Sequence, residues 1–229
     1  MSTAATSGLT GVHRNSTQQG VTVSTDVEDL YSHERDQFVA ELAHLSQTQW
    51  ETPSLCQGWS VRDLCCHLLM PYELSTGRFL SGIVRARMNF DRLADRWVTK
   101  DCRSGPQLAA ALAVTTAAGF AVPGAGPLAP LAHLVIHSED VRRPLGLPGA
   151  VAAPSAVLVL DDITSGKHSV GADKLSGLRF QATDADWSVG AGPEVSGAAS
   201  TLLSALNGRG ASAAALAGAG AETFRARLG

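Results

Sequence analysis

The pair His133 and His137, in LAHLVIHSEDVRRPLG, constrains this chain more than any other feature. Residues four apart share one face of an α-helix. Pro144 and Gly146 stop that helix, and Arg142 and Arg143 fall in its last turn, where cations are favoured. His67 ends the run PSLCQGWSVRDLCCH, a second helical stretch that Ser60 and Asp63 open with a capping-box pattern. If the two helices pack together, the three imidazoles can hold one metal ion. Three protein ligands leave a fourth position for water or a thiol, the layout of a catalytic zinc rather than a structural one. The competing reading is a set of hydrogen-bonded core histidines, and spacing alone does not separate the two.

The rest of the chain suggests what would carry those helices. Leu30, Phe38, Leu42 and Leu45 line one side of a helix that begins at Asp26 and ends near Trp50. The second helix runs through His67 to a kink or end at Pro71, because proline removes a backbone donor. A helical pattern resumes over 72–94, an Ala-rich helix covers 105–120, and a last one runs from about Pro127 to Arg143. This pattern predicts a four-helix bundle over 26–146, preceded by a disordered Ser/Thr/Gly/Gln-rich tail over 1–25. Residues 145–154 read as a linker. Beyond it, 155–165 is apolar and either strand or helix. Residues 178–190 read as a hairpin, a helix runs from Pro193 to Asn207, and a short one covers 211–217. The expected architecture is therefore the bundle followed by a small α+β domain over 147–229.

Composition narrows the function. With a net charge of −3 there is no basic stretch of the kind that grips nucleic acid. Arg85, Arg87, Arg92 and Arg96 alternate with Asp91 and Asp95 and read as a solvated helix face. No run of 18 apolar residues can span a membrane, and no signal peptide is evident. Cys56, Cys65, Cys66 and Cys102 form neither a CxxC nor a disulfide framework, as in a reduced cytoplasmic protein. The oligomeric state is not readable from the sequence.

Three segments together resemble a known family. PSLCQGWSVRDLCCHL is similar to the second-helix motif, and HSEDVRRPLG to the fourth-helix ending, of the DinB-like, mycothiol-dependent maleylpyruvate isomerase family. ATDADWSVGAGPEVSGAASTLLSALNGR resembles that family's C-terminal module, which has a sterol-carrier-protein-like fold. The resemblance implies a divalent metal, usually zinc, bound in the bundle, with His67, His133 and His137 at the ligand positions. Family members with isomerase activity carry Glu where this chain has His133, whereas thiol transferases of the broader fold use three histidines. Three neutral imidazoles also accept nickel. The implied activity is S-transfer or isomerisation of a small electrophile with mycothiol as cosubstrate. The second reading is an enzyme of the same fold without thiol chemistry, a metal-dependent hydrolase or a biosynthetic cyclase, and a non-catalytic small-molecule-binding protein is the reading from another class.

Other residues have candidate roles. Asp140, three beyond His137, either fixes an imidazole tautomer or pairs with Arg143. Asp63 suits capping better than orienting His67. By the family resemblance, Arg209 in LNGR is the arginine that reaches from the C-terminal domain to hold an anionic group. Trp59 reads as a helix-entry anchor and Trp187 as the hinge of the hairpin. Cys65 and Cys66 read as core, and His33 and His44 as surface or boundary residues.

Overall fold

The computed structural model describes residues 16–148, 150–165 and 172–228. Helix α1 (Ser16–Leu42) is followed by a turn and the short α2 (Gln47–Glu51). One helix as far as Trp50 was the expectation, but Ser46 interrupts it. Its hydroxyl accepts from the Gln49 amide while its own amide donates to the Gln49 side chain, starting a new helix. Of the tail anticipated over 1–25, residues 1–15 lie outside the described residues, and 16–25 form the beginning of α1.

Helix α3 (Val61–Glu73) starts at Ser60, whose amide and hydroxyl both donate to Asp63 Oδ2 at 3.1 and 2.8 Å. Pro71 does not kink it early. It sits in the last turn, where few intrahelical bonds remain to be lost. The single helix expected over 72–94 is instead a hairpin of α4 (Thr76–Arg85) and α5 (Phe90–Lys100). Arg87 and Met88 break it in the left-handed region, at φ 57° and 59°. Asn89 then caps α5 by accepting from the Arg92 amide at 2.8 Å.

Helix α6 (Gly105–Leu112) ends well before residue 120, and a single 3-10 turn covers Ala117–Gly119. Gly105 lets α6 press on Trp50: a Cβ there would lie 2.1 Å from the indole. Helix α7 (Ala129–Leu145) ends on Gly146 at φ 60°, as the Pro-Leu-Gly stop signal requires. Helices α1, α3, α6 and α7 form the bundle, with α5 packed on α3. Phe38, Leu64, Leu68, Leu108, Leu131 and Val135 are buried at its centre. Arg142 is buried there too. Its Nε donates to Glu41 at 2.7 Å, its Nη1 to Ser138 at 3.1 Å, and its guanidinium lies 5.4 Å from the Phe38 ring centroid.

The apolar segment that periodicity left open is a helix, α8 (Ala153–Thr164). After α9 (Ala172–Leu175), strands β1 (Arg179–Ala182) and β2 (Ser188–Gly190) form the anticipated antiparallel hairpin. Residues from Pro193 are not helical at first. Strand β3 (Glu194–Gly197) pairs parallel to β1, giving the order β2-β1-β3. Burial of Val195 beside Phe180 favours the strand. Helix α10 (Ala199–Leu206) follows, then α11 (Gly210–Ala214) and α12 (Ala221–Leu228), the last not foreseen from sequence. Phe224 of α12 meets Phe180 edge-on at 5.1 Å. Trp187 is no bare hinge: it is buried, and its Nε1 donates to Asp161 of α8 at 2.8 Å.

Helix α8 packs on both α7 and α10, and one apolar core runs from Val27 to Phe224. The boundary drawn near residue 146 falls between two helices, α7 and α8, and the core is continuous across it. No helix among the described residues is long and apolar enough to cross a membrane.

Candidate metal centre

Helix α3 carries His67 two turns after its cap, and α7 carries His133 and His137 one turn apart. Packing of α3 on α7 brings the three rings together. Their centroids form a nearly equilateral triangle with sides of 4.9, 5.1 and 5.0 Å, each pair close to edge-on. One nitrogen from each lies within 4.8 Å of the others, and Nε2 of His133 is 3.1 Å from Nε2 of His67. Two nitrogens on one tetrahedral zinc, at Zn–N of about 2.0–2.1 Å, are separated by about 3.3 Å, so this pair already has the required spacing.

The protonation states fit a cation. Burial first, and the neighbouring His137 second, push His67 down to about 3. Burial and then His137 and His67 hold His133 well below the usual imidazole range. Both rings are therefore neutral with lone pairs to offer. His67 Nδ1 is buried with no hydrogen-bond partner. His137 Nδ1 lies 3.0 Å from Asp140 Oδ2, which leaves its Nε2 for the cluster. Residues of this type and spacing fit a divalent ion.

Asp140 is the hub of the polar surroundings. Its buried carboxylate accepts from Arg209 Nε at 2.8 Å and Nη2 at 2.6 Å, and from the Cys56 thiol at 3.3 Å. Burial alone would raise this carboxyl, but the Arg209 and His137 contacts outweigh it and hold it below the usual carboxylate range. Arg209 is raised in turn, chiefly by Asp140. Of the two roles open for Asp140, pairing with Arg143 is not the one observed: Arg143 binds Glu139 at 2.8 Å. Arg209 does reach the bundle. Its Nη1 donates to the Asn207 carbonyl at 2.6 Å, and its other two nitrogens are committed to Asp140.

Cys56, Asp140 and His137 form a second group of possible ligands. It suits a cation less well, because the Arg209 guanidinium already neutralises Asp140. Burial, then Asp140, also pushes the Cys56 thiol up to about 12, keeping it protonated.

A cavity of about 490 Å³ opens on the cluster, with His67 and His137 in its wall together with Arg209. The loop before α3 supplies Cys56 and Trp59, and α5 supplies Phe90, Asp91 and Asp95. Trp59 is more than a helix anchor: its ring lies 4.8 Å from that of His67, and its Nε1 donates to Asp95 at 2.9 Å. Asp91 and Asp95 thus belong to a cavity wall, not merely to a solvated face. Cys56 stood in plain view in PSLCQGW, but its thiol gained meaning only beside Asp140. No sequence signal placed α5 at the site, because the Arg87–Met88 turn that folds it back was not foreseen. Asp63 acts as a cap, Cys65 and Cys66 are buried core, and His33 and His44 are exposed.

A histidine-rich cluster inside a helical bundle, open on one side to a small-molecule-sized cavity, defines a candidate metalloenzyme of the bundle class. Residues 31–122 match the family model described as the mycothiol maleylpyruvate isomerase N-terminal domain. The match includes His67 and stops before α7. Among solved structures, the chain is similar to mycothiol-dependent maleylpyruvate isomerase and to a histidine-to-alanine mutant of it. Identity is 16% in both cases, 86% of this chain and 92% of the other are covered, and TM-scores are 0.43 and 0.45. No curated protein sequence matches the chain.

Proposed function

We propose that this protein is an enzyme that holds one divalent metal ion on His67, His133 and His137 and uses a low-molecular-weight thiol, mycothiol, to act on a small electrophile by S-transfer or isomerisation. The observation that carries this reading is the convergence of three imidazoles, with His67 and His133 kept neutral by burial and His67 and His137 in the wall of a cavity. The match of residues 31–122 to the mycothiol maleylpyruvate isomerase N-terminal domain supports the thiol. Zinc suits neutral nitrogen ligands, and nickel is accepted by the same set. A divalent ion there supplies an uncancelled 2+ charge that favours the deprotonated, nucleophilic form of a thiol docked in the cavity.

The chain's own groups do the positioning. Asp140 accepts from His137 Nδ1 and so fixes that ring's tautomer and orientation. Trp59 and Phe90 place aromatic surface against the His67 ring and limit water beside the reacting thiol. Cys56, held protonated, does not compete with the cosubstrate as a nucleophile. Addition of the thiol to an activated double bond, rotation and expulsion of the same thiol gives isomerisation, and retention of the adduct gives transfer. Four free cysteines and a thiol cosubstrate suit a reducing compartment such as the cytoplasm.

The test is elemental mass spectrometry on protein purified without a histidine tag, wild type beside His133→Ala, followed by turnover of maleylpyruvate with and without mycothiol. About one divalent ion per chain in the wild type and none in the variant is the expected result. Metal that persists in His133→Ala refutes the ligand set, and turnover indifferent to mycothiol refutes the thiol chemistry.

A further inference from the structure

Helix α5 is a wall shared by two cavities. Phe90, Asp91, Ala94 and Asp95 face the histidine site. Leu93, Arg96, Trp97 and Lys100, at 3-4-7 spacing on another face, line a second cleft of about 390 Å³ closed by α4 and the end of α3.

That second cleft has an apolar floor and a cationic rim. Leu74 and Leu93 are buried in the floor, and Trp97 lies against them with its Nε1 fixed on the Cys66 carbonyl at 3.3 Å. Arg78 and Arg85 rise from α4, and Arg96 and Lys100 from α5. Arg96 reaches across and donates from Nη1 to the Arg85 carbonyl at 3.1 Å. Among the described residues none of these four cations forms an ion pair. The two acids at the same cleft are taken elsewhere: Glu73 binds Arg103 at 2.7 Å, and Asp101 binds Arg103 at 2.6 Å and Arg62 at 3.3 Å. Four like charges thus converge on a concave apolar surface with no acidic partner among the described residues. Their mutual repulsion is relieved by a bound anion, and guanidinium groups favour phosphate or carboxylate in particular. The cleft volume is within the range of about 300–1,000 Å³ typical of small-molecule sites.

We infer that this cleft binds a free organic anion with an aromatic or other apolar body, such as an aryl phosphate or aryl carboxylate, at a site separate from the histidine cluster. The headgroup meets the Arg78, Arg85, Arg96 and Lys100 rim, and the body lies on Leu93 and Trp97. The inference stands independently of the metal and thiol reading above.

The experiment is calorimetric titration of phenyl phosphate at low ionic strength, with inorganic phosphate and phenol as the two halves of the probe. One-to-one binding at least about tenfold tighter than either half is expected. The Arg78→Gln/Arg96→Gln double variant, altered only at exposed positions of the cleft, should weaken it at least about tenfold while retaining the wild-type circular dichroism. His133→Ala should leave it unchanged. Absence of binding, binding indifferent to the double variant, or binding lost in His133→Ala overturns the inference. So does Arg78- and Arg96-dependent co-sedimentation with phosphatidylserine vesicles without binding of the free compound, which would assign the rim to a lipid surface.

Discussion

Replacing Asp140 by Asn keeps the shape of the hub and removes its charge. Three groups lose their common anion, and one of its two acceptor oxygens becomes an NH2 donor: the two nitrogens of Arg209 at 2.8 and 2.6 Å, the His137 ring at 3.0 Å, and the Cys56 thiol at 3.3 Å. Breaking a fully buried pair costs about 3–5 kcal/mol. Arg209 keeps about a fifth of its side chain exposed to the cavity (21%), so solvent recovers part of this, and about 2–3 kcal/mol is the reasoned loss. For a chain of this length that is a drop of roughly 5–10 °C in midpoint. With His137 as a ligand, as proposed, the loss of the carboxylate behind its imidazole adds a separate effect, a fall in metal affinity of about 10–100-fold. Chelator competition for zinc reads the second effect, and thermal unfolding of metal-free and metal-loaded protein reads the first. Arg143→Gln is the control, since it touches Glu139 and not the hub. If Asp140→Asn unfolds earlier yet binds zinc as the wild type does, Asp140 is only a structural counter-ion, and the positioning argument for His137 fails.

Acid should destabilise the metal-free protein from about pH 6.5 downward. His67 is held at about 3 in the folded chain against about 6.5 unfolded, so between those values the unfolded chain binds a proton that the folded one refuses. Stability therefore falls as pH falls, by about 1.4 kcal/mol per unit from this group, and His133, also depressed, adds in the same direction. Asp140 adds a further loss only once pH drops below the ordinary carboxylate range of about 4, because its folded pKa is lowered. A urea series across pH 4–8 checks this, and a flat profile refutes it. Arg142→Ala removes the partner of Glu41 and leaves a cavity over Phe38, and should cost about 3–5 kcal/mol in urea unfolding; a loss under 1 kcal/mol contradicts it. Gly105→Ala drives a methyl into the Trp50 indole and should cost about 1–3 kcal/mol, with a shift in tryptophan fluorescence reporting the displaced ring.

The parts of the fold that were legible in the sequence are those set by local chemistry. The Ser60–Asp63 cap, the Pro144–Gly146 stop and the 178–190 hairpin each announce themselves within a few residues. The elements that escaped were decided by tertiary context. Arg87 and Met88 adopt left-handed backbone without a glycine to advertise it, and β3 is a strand because Val195 finds Phe180. The histidines could be nominated from spacing because α3 and α7 each fix their own face. What surrounds them could not. Asp140 chooses Arg209 over Arg143 only once a segment 69 residues further on has folded against α7. Trp59 and Asp95 meet only because α5 turns back.

The Arg209–Asp140 clasp has a consequence for how this molecule can be dissected or recombined. The loop between α10 and α11 grips the residue that orients a candidate ligand in the bundle, and the apolar core passes uninterrupted beneath that grip. A helical half expressed alone would expose the flank of α7 and α8 and leave His137 backed by an unbridled carboxylate. A chimera with a foreign C-terminal half would need an arginine delivered to the same spot. Grafting one half onto another scaffold should therefore remove the backing of His137 together with part of the shared core.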